Sequence, residues 1–196
     1  MRILNRAAGA AALLLLASAF PAGAADAPVT HYALDPAKST LEFNFTQAGA
    51  QNKGHFRHFT VNFDFSPDNL PASHLEVIVE VASLDTGDQE RDDTLRDTEL
   101  FAVKKFPQAV FRAQQILKTA TGYEAVGKLT IRDLTRDLRV PFAFRSATEG
   151  AVSAGYMTGK TTLKRLDYGV GQGEWKATDQ VGNDVGVAFA LRLTPH

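Results

Sequence analysis

The sequence predicts an all-β protein, an antiparallel β-barrel of about eight strands with one short helix inserted near the middle of the chain. Two observations predict this fold. Alternation of apolar and polar residues with period two is the dominant pattern from Thr40 onward, and only one stretch, Asp88 to Phe101, has a helical pattern. We find no linker and no internal repeat, so the alternating segments belong to a single domain.

The first 24 residues have the pattern of an export signal. Arg2 and Arg6 precede an apolar run from Ala7 to Phe20, and the small-residue triplet Ala22-Gly23-Ala24 follows it. A charged start, an apolar centre and an A-x-A site are typical of a signal peptide. The run is too short to favour a retained membrane span, which needs about 20 apolar residues. We therefore expect a cleaved signal at residues 1–24 and one exported domain at residues 25–196.

Six segments have the alternation of strands with one apolar face. Such strands, joined by short turns, favour antiparallel pairing. The apolar faces are Leu41-Phe43-Phe45, Phe59-Val61-Phe63-Phe65, Leu75-Val77-Val79-Val81, Tyr123-Ala125 with Leu129-Ile131, Leu138-Val140-Phe142-Phe144, and Val185-Val187-Phe189-Leu191-Leu193.

The predicted helix is acid-rich at its start and has a narrow apolar stripe of Leu95, Leu100 and Phe101. A short helix among many strands suggests a barrel with a lid or plug. Closing the sheet removes its edges, and about eight strands leave room for packed side chains or one small ligand. Phenylalanine packs cores as readily as it lines pockets, so alternation alone leaves a filled and a hollow barrel both open.

Charge and composition exclude several classes of function. The formal net charge of −1 becomes −3 once Arg2 and Arg6 are removed, because 19 Lys and Arg then stand against 22 Asp and Glu. No basic excess is available to neutralise phosphates, so we expect no nucleic-acid partner. The chain has no cysteine, which excludes disulfides and thiol catalysis.

Catalytic and metal-binding patterns are also missing. There is no G-x-S-x-G elbow and no H-E-x-x-H motif. His55 and His58 are three residues apart, so on a strand they would point to opposite faces and chelate poorly. The glycines Gly169, Gly171 and Gly173 lack the helix that a dinucleotide site needs and are interpreted as a loop. We predict no catalytic residue, no metal and no cofactor.

Read in order, short motifs along the chain resemble the YceI-like family of lipocalin-like, polyisoprenoid-binding periplasmic proteins. These motifs are Leu34-Asp35 with Ser39 and Phe43, Gly54-x-Phe56-x-x-Phe59, Ser83-Leu84-x-Thr86, Arg91-Asp92 with Leu95 and Phe101, Pro107 with Phe111, Gly127-Lys128-Leu129-Thr130-Ile131 with Thr135-Arg136, and Arg165-x-Asp167-Tyr168-Gly169-Val170.

The resemblance implies a periplasmic, lipocalin-like barrel, often dimeric, with an apolar tunnel for a long prenyl chain. An isoprenoid or an isoprenoid-quinone lipid is the one bound group that it implies. Two positions depart from the family pattern, since Gln47 and Thr94 stand where relatives often have histidine. These departures affect any head-group preference that is carried over from relatives.

Strand phase and the resemblance together predict the binding residues. Arg91 and Asp92 are candidates for contact with a ligand head group. The predicted tunnel lining is Phe43, Phe45, Phe56, Phe59, Phe63, Leu100, Phe101, Phe111, Phe142 and Phe144.

The leading hypothesis is a protein that binds, sequesters or carries an isoprenoid or a similar apolar lipid, without catalysis. The first alternative is a filled barrel that acts as an interaction or stress-response accessory protein. The second alternative is an enzyme that acts on a lipid, which the missing nucleophile–base and metal spacings disfavour.

Overall fold

The computed structural model describes residues 27–150 and 152–196, so the predicted signal peptide at residues 1–24 lies outside the described residues. The described chain is built mainly of strands, joined by turns and short 3₁₀ helices. The elements are β1 (Thr30–Leu34), β2 (Thr40–Gln47), β3 (Ala50–Phe56), β4 (Phe59–Phe65), β5 (His74–Glu80), β6 (Leu84–Asp85), α1 (Gln89–Arg96), β7 (Gln108–Thr119), β8 (Gly122–Ile131), β9 (Leu134–Glu149), β10 (Val152–Lys164) and β11 (Asp184–Pro195).

The strands form a closed antiparallel barrel. The sheet order is β1-β4-β5-β7-β8-β9-β10-β11, and β11 pairs back onto β1 through Leu34 and Leu193. This ring has eight strands, which confirms the predicted fold class. Closure of the ring gives each of these eight strands a partner on both sides.

Three of the wall strands are each interrupted once, which explains why eleven strands make an eight-stranded wall. Strands β1 and β2 are two parts of one wall strand, since both pair with β11. The C-terminal end of β11 pairs with β1, and its residues Gly186–Ala190 pair with β2. Strand β3 continues into β4 after Arg57 and His58, and β5 continues into β6 after a 3₁₀ turn at Val81–Ser83. Because β3 pairs with both β2 and β6, these three strands extend one side of the barrel.

Helix α1 begins where the sequence indicates and ends earlier. The Asp88 side chain caps it by accepting a hydrogen bond from the main-chain N–H of Arg91 at 3.1 Å. The helix ends at Arg96, and not at Phe101 as predicted. The chain turns back there, since the N–H groups of Leu100 and Ala102 both bond to the Asp97 carbonyl. Leu100 and Phe101 still pack inward, but from a turn.

Five strands were missing from the sequence prediction, namely β1, β3, β6, β7 and β10. Strand β10 contains Gly155 and Gly159, and neither carries a side chain that could show alternation. A Cβ at Gly159 would lie 2.4 Å from the Cζ atom of Phe189 on the neighbouring strand. The glycine therefore provides the space in which that ring lies. In β7 the alternation is broken by an irregularity between Ala113 and Gln115.

One end of the barrel is filled by aromatic rings, which we call the aromatic layer. Their neighbouring ring centroids are 4.9–6.3 Å apart, in edge-to-face, stacked and tilted arrangements. The aromatic layer consists of Tyr32, Phe63, Phe65, Tyr123, Phe142 and Phe144.

No helix within the described ranges is long and apolar enough to cross a membrane.

Candidate ligand cavity

The other part of the barrel interior encloses a cavity of ≈ 500 Å³. Its wall combines aromatic rings with short aliphatic side chains, for example Val77, Val79 and Val187. An eight-stranded barrel leaves an interior that side chains can just fill. A valine side chain fills less of that interior than a ring does, which leaves space open where valines line the wall.

Six of the ten predicted tunnel residues line this cavity. Three come from β2 and β3, two from the turn after α1, and one from β7. They are Phe43, Phe45, Phe56, Leu100, Phe101 and Phe111.

The other four predicted residues lie outside the cavity lining. Phe63, Phe142 and Phe144 belong to the aromatic layer, where rings fill the barrel. Phe59 packs against the main core and borders a separate hollow of ≈ 290 Å³ beside His58 and Ile78. All four belong to the main core cluster or pack against it, but strand phase says nothing about depth along the barrel axis. Contact with a ligand stays a prediction for all ten residues.

Several polar side chains meet the cavity around the first turns of α1. Asp88, Glu90, Arg91 and Thr94 line it from the helix, and Gln47 lines it from the end of β2. The two positions that depart from the family pattern, Gln47 and Thr94, are therefore both at the cavity. The hydroxyl of Thr94 donates to the main-chain carbonyl of Glu90 at 2.8 Å.

The candidate head-group residues Arg91 and Asp92 have different environments. Arg91 lines the cavity, and its guanidinium donates to the Thr86 hydroxyl at 3.0 Å and to the Asn52 side-chain oxygen at 2.9 Å. Asp92 is buried and accepts from the Thr86 N–H at 2.9 Å and the Thr86 hydroxyl at 2.6 Å. Because Asp92 is not among the lining residues, its visible role is to fasten α1 to the chain after β6.

Arg165 is a lining residue that the site prediction did not include. Its side chain is buried, and every hydrogen bond it makes within the described residues goes to a main-chain carbonyl oxygen. The acceptors are Gly182 at 3.0 Å, Val170 at 2.9 Å, Val181 at 2.8 Å and Ala177 at 3.4 Å.

Burial of Arg165 lowers the pKa of its guanidinium from the usual range, although arginine stays protonated in proteins. The four carbonyl dipoles replace the water that a buried cation loses. A Cβ at Gly171 would lie 1.8 Å from Nη1 of Arg165, so this loop position must be glycine. The sequence did contain an indication that Arg165 matters, since the motif that begins at Arg165 contributes to the family resemblance.

Two aromatic groups complete this side of the cavity. Tyr168 is buried, and desolvation raises the pKa of its phenol, with the nearby Asp167 charge adding to the shift. Trp175 lines the cavity from the 3₁₀ turn Gly173–Lys176, and it is the single tryptophan of the chain. Its fluorescence can therefore report on what occupies the cavity.

The histidines predicted to be poor metal ligands lie away from the cavity lining. His55 is 3.6 Å from Asp85, and His58 is 3.4 Å from Glu80. Each histidine thus has its own carboxylate neighbour. Within residues 27–150 and 152–196, no three His, Cys, Asp or Glu side chains are grouped so that they could hold a metal ion.

Comparisons of sequence with known proteins agree with the resemblance described above. The YceI-like domain family matches residues 32–193. A UPF0312 protein of Yersinia enterocolitica is 35% identical over 118 residues, which are 60% of this chain and 62% of that protein, so the match spans less than two thirds of this relative. A UPF0312 protein of Vibrio vulnificus is 29% identical over 164 residues, covering 80% of this chain and 84% of the relative.

Solved structures share the fold. BcnA of Burkholderia cenocepacia is 31% identical with a TM-score of 0.73, over 81% of this chain and 98% of that protein. A polyisoprenoid binding domain from Saccharophagus degradans has a TM-score of 0.60 at 16% identity, over 85% of this chain and 99% of that domain. The second likeness is one of fold alone.

Proposed function

Because the chain belongs to the YceI-like domain family, we propose that it binds a long-chain isoprenoid or a similar apolar lipid inside its barrel. In this function the protein sequesters or carries the lipid in the periplasm and performs no reaction on it. An isoprenoid quinone belongs to the same ligand class. The observation that carries the proposal is the ≈ 500 Å³ cavity with its mainly aliphatic and aromatic wall.

The energetics favour a long chain over a short one. Each buried CH₂ group contributes roughly 0.8 kcal/mol, so ten carbons contribute about 8 kcal/mol before costs. Association costs roughly 4–15 kcal/mol in lost freedom of motion. A ligand with only a few carbons would therefore bind weakly, whereas a prenyl chain that fills the cavity would bind well.

The distribution of polar groups supports one orientation of the ligand. Asp88, Glu90, Arg91 and Thr94 line the cavity from the start of α1, and Gln47 lines it from the end of β2. Arg165 also lines the cavity, but its donors are taken by main-chain carbonyl groups. A polar head group would lose its water if it were placed among the valines, and that loss is costly without a partner. The head group therefore belongs beside α1, and the apolar tail extends toward the aromatic layer.

The filled-barrel alternative fits only part of the interior. The aromatic layer is packed, but the wall around Val187 and Phe111 faces open space.

The periplasmic location is proposed from the signal-like segment at residues 1–24. A homodimer is a further part of the proposal, and it is tested by measuring the mass of the purified protein in solution.

Two measurements test the binding function. Protein purified from its own host is extracted with organic solvent, and we expect mass spectrometry of the extract to identify an apolar lipid. Protein stripped of that lipid is titrated with farnesol while Trp175 emission is recorded. We expect emission to change with saturation, because Trp175 lines the cavity.

The control for the titration is the same measurement with a short alcohol such as butanol, which should give no saturable change. If the extract contains no apolar molecule and farnesol leaves Trp175 emission unaltered, the binding function is wrong and the interaction-protein alternative takes its place.

A further inference from the structure

We propose that the aromatic layer limits the length of the apolar chain that the protein accepts, with Phe142 at the boundary. This inference rests on the proposed binding function and makes it more specific. It assigns a role in specificity to residues that do not line the cavity in this structure.

The aromatic layer closes one end of the cavity. Phe63, Phe65 and Phe142 have relative exposures of 0%, 1% and 4%, so their rings are packed, and none of them lines the cavity. The Phe142 centroid lies 6.2 Å from that of Phe63 and 5.5 Å from that of Tyr123, in edge-to-face and stacked arrangements. A chain that entered this layer would have to separate packed rings.

Strand β9 shows where the boundary lies. Leu138 and Val140 line the cavity, whereas Phe142, the next residue on the same face, does not. Residues two apart on a strand share a face and are about 6.6–6.8 Å apart along it. Because barrel strands are tilted by roughly 35–45° to the barrel axis, removing the Phe142 ring would lengthen the cavity by about 5 Å along that axis, which is about the length of one isoprene unit.

This geometry predicts how affinity depends on chain length. With the head group beside α1, each added isoprene unit gains affinity until the tail meets Phe142. Carbon atoms beyond that point stay in water or force the ligand outward, so affinity stops rising. The wild-type protein should show such a limit along the prenyl alcohols geraniol, farnesol, geranylgeraniol and longer polyprenols.

Two variants move the limit in opposite directions. Phe142→Ala opens space that is continuous with the cavity, and it should shift the preferred alcohol to a longer one. Val140→Phe places a ring in the last layer of open space and should shift the preference to a shorter one. In each case we expect the ratio of the Kd values for neighbouring alcohols to change by about tenfold.

Phe65→Ala is the matched control. Phe65 is as deeply buried as Phe142, but it lies beyond Phe63 on β4, two residues further from the cavity along the same face. Its removal should destabilise the aromatic layer, but the Phe63 and Phe142 rings that it contacts stay in place. The preferred chain length should therefore stay at the wild-type value. Affinities are measured by Trp175 emission, since none of the variants changes the tryptophan.

The outcomes separate this inference from the binding function. If the wild type binds no prenyl alcohol, the binding function itself is wrong. If the wild type binds but Phe142→Ala and Val140→Phe keep its chain-length preference, the aromatic layer sets no limit and this inference is overturned. If Phe142→Ala does not fold, Val140→Phe decides alone, because Val140, although packed in the core cluster, also lines the cavity and gives its new ring space to enter.

Discussion

The strongest test of a barrel that is hollow in one part and filled in another is the same substitution in both parts. Val187 lies on β11 and lines the cavity, whereas Val61 lies on β4, is 4% exposed and is packed in the core cluster. Both side chains point inward from strands. Val→Phe at each position adds the same ring to a different environment.

The expected stabilities follow from the space available. At Val61 the ring overpacks a filled core, and this should lower the free energy of unfolding by about 1–3 kcal/mol. At Val187 the ring extends into the cavity, so we expect a change of less than about 1 kcal/mol. Urea denaturation followed by Trp175 emission measures both values.

For ligand affinity we expect the opposite order, with Val187→Phe binding more weakly and Val61→Phe unchanged. Phenylalanine has four more carbon atoms than valine, and at Val187 it displaces ligand of similar volume. At roughly 0.8 kcal/mol per methylene the loss reaches about 3 kcal/mol, or about a hundredfold in the Kd for farnesol. Val61→Phe should keep its affinity as long as it folds. Equal destabilisation of both variants, with unchanged binding at Val187→Phe, would refute this account of the interior.

Three further predictions address other parts of the chain. Arg165→Met should lower the free energy of unfolding by about 2–5 kcal/mol in urea, since buried carbonyl groups lose their donor. The pKa of Asp85 is held below its ordinary 3.8 by the Gly87 N–H and then by Arg57. Its stabilising contribution is present above 3.8 and is lost as pH falls through the lower folded-state pKa, so Asp85→Asn should flatten the acid-side fall in melting temperature. Intact-mass analysis of periplasmic protein should show a chain that begins at Ala25, and a mass that includes residues 1–24 would contradict signal cleavage.

The strands with large apolar residues were predictable from the sequence. Phe59, Val61, Phe63 and Phe65 alternate with polar residues, and this is the pattern of an inward strand face whatever the neighbours are. The start of α1 was predictable for a similar reason, because an Asp88 cap is a local feature. Its end at Arg96 was not, since the turn after it depends on where Leu100 packs.

Strand β10 could not be found by alternation, because its role depends on partners distant in the sequence. A side chain at Gly159 would collide with the Phe189 ring of β11, and a side chain at Gly155 would collide with the rings of Phe144 and Tyr32. A single strand read alone shows only glycine, threonine and a few apolar residues. The reason for those glycines is visible only when the neighbouring strands are in place.

The sequence by itself determined which side chains point inward, that the strands suit an antiparallel barrel, and which family the chain resembles. Those features arise from local periodicity and from short motifs, which act over a few residues. Only the tertiary structure decided that Phe63 and Phe142 are packed while Phe101 and Phe111 face open space. The physical reason is that packing depends on what stands across the barrel, and that partner comes from a strand far away in the chain.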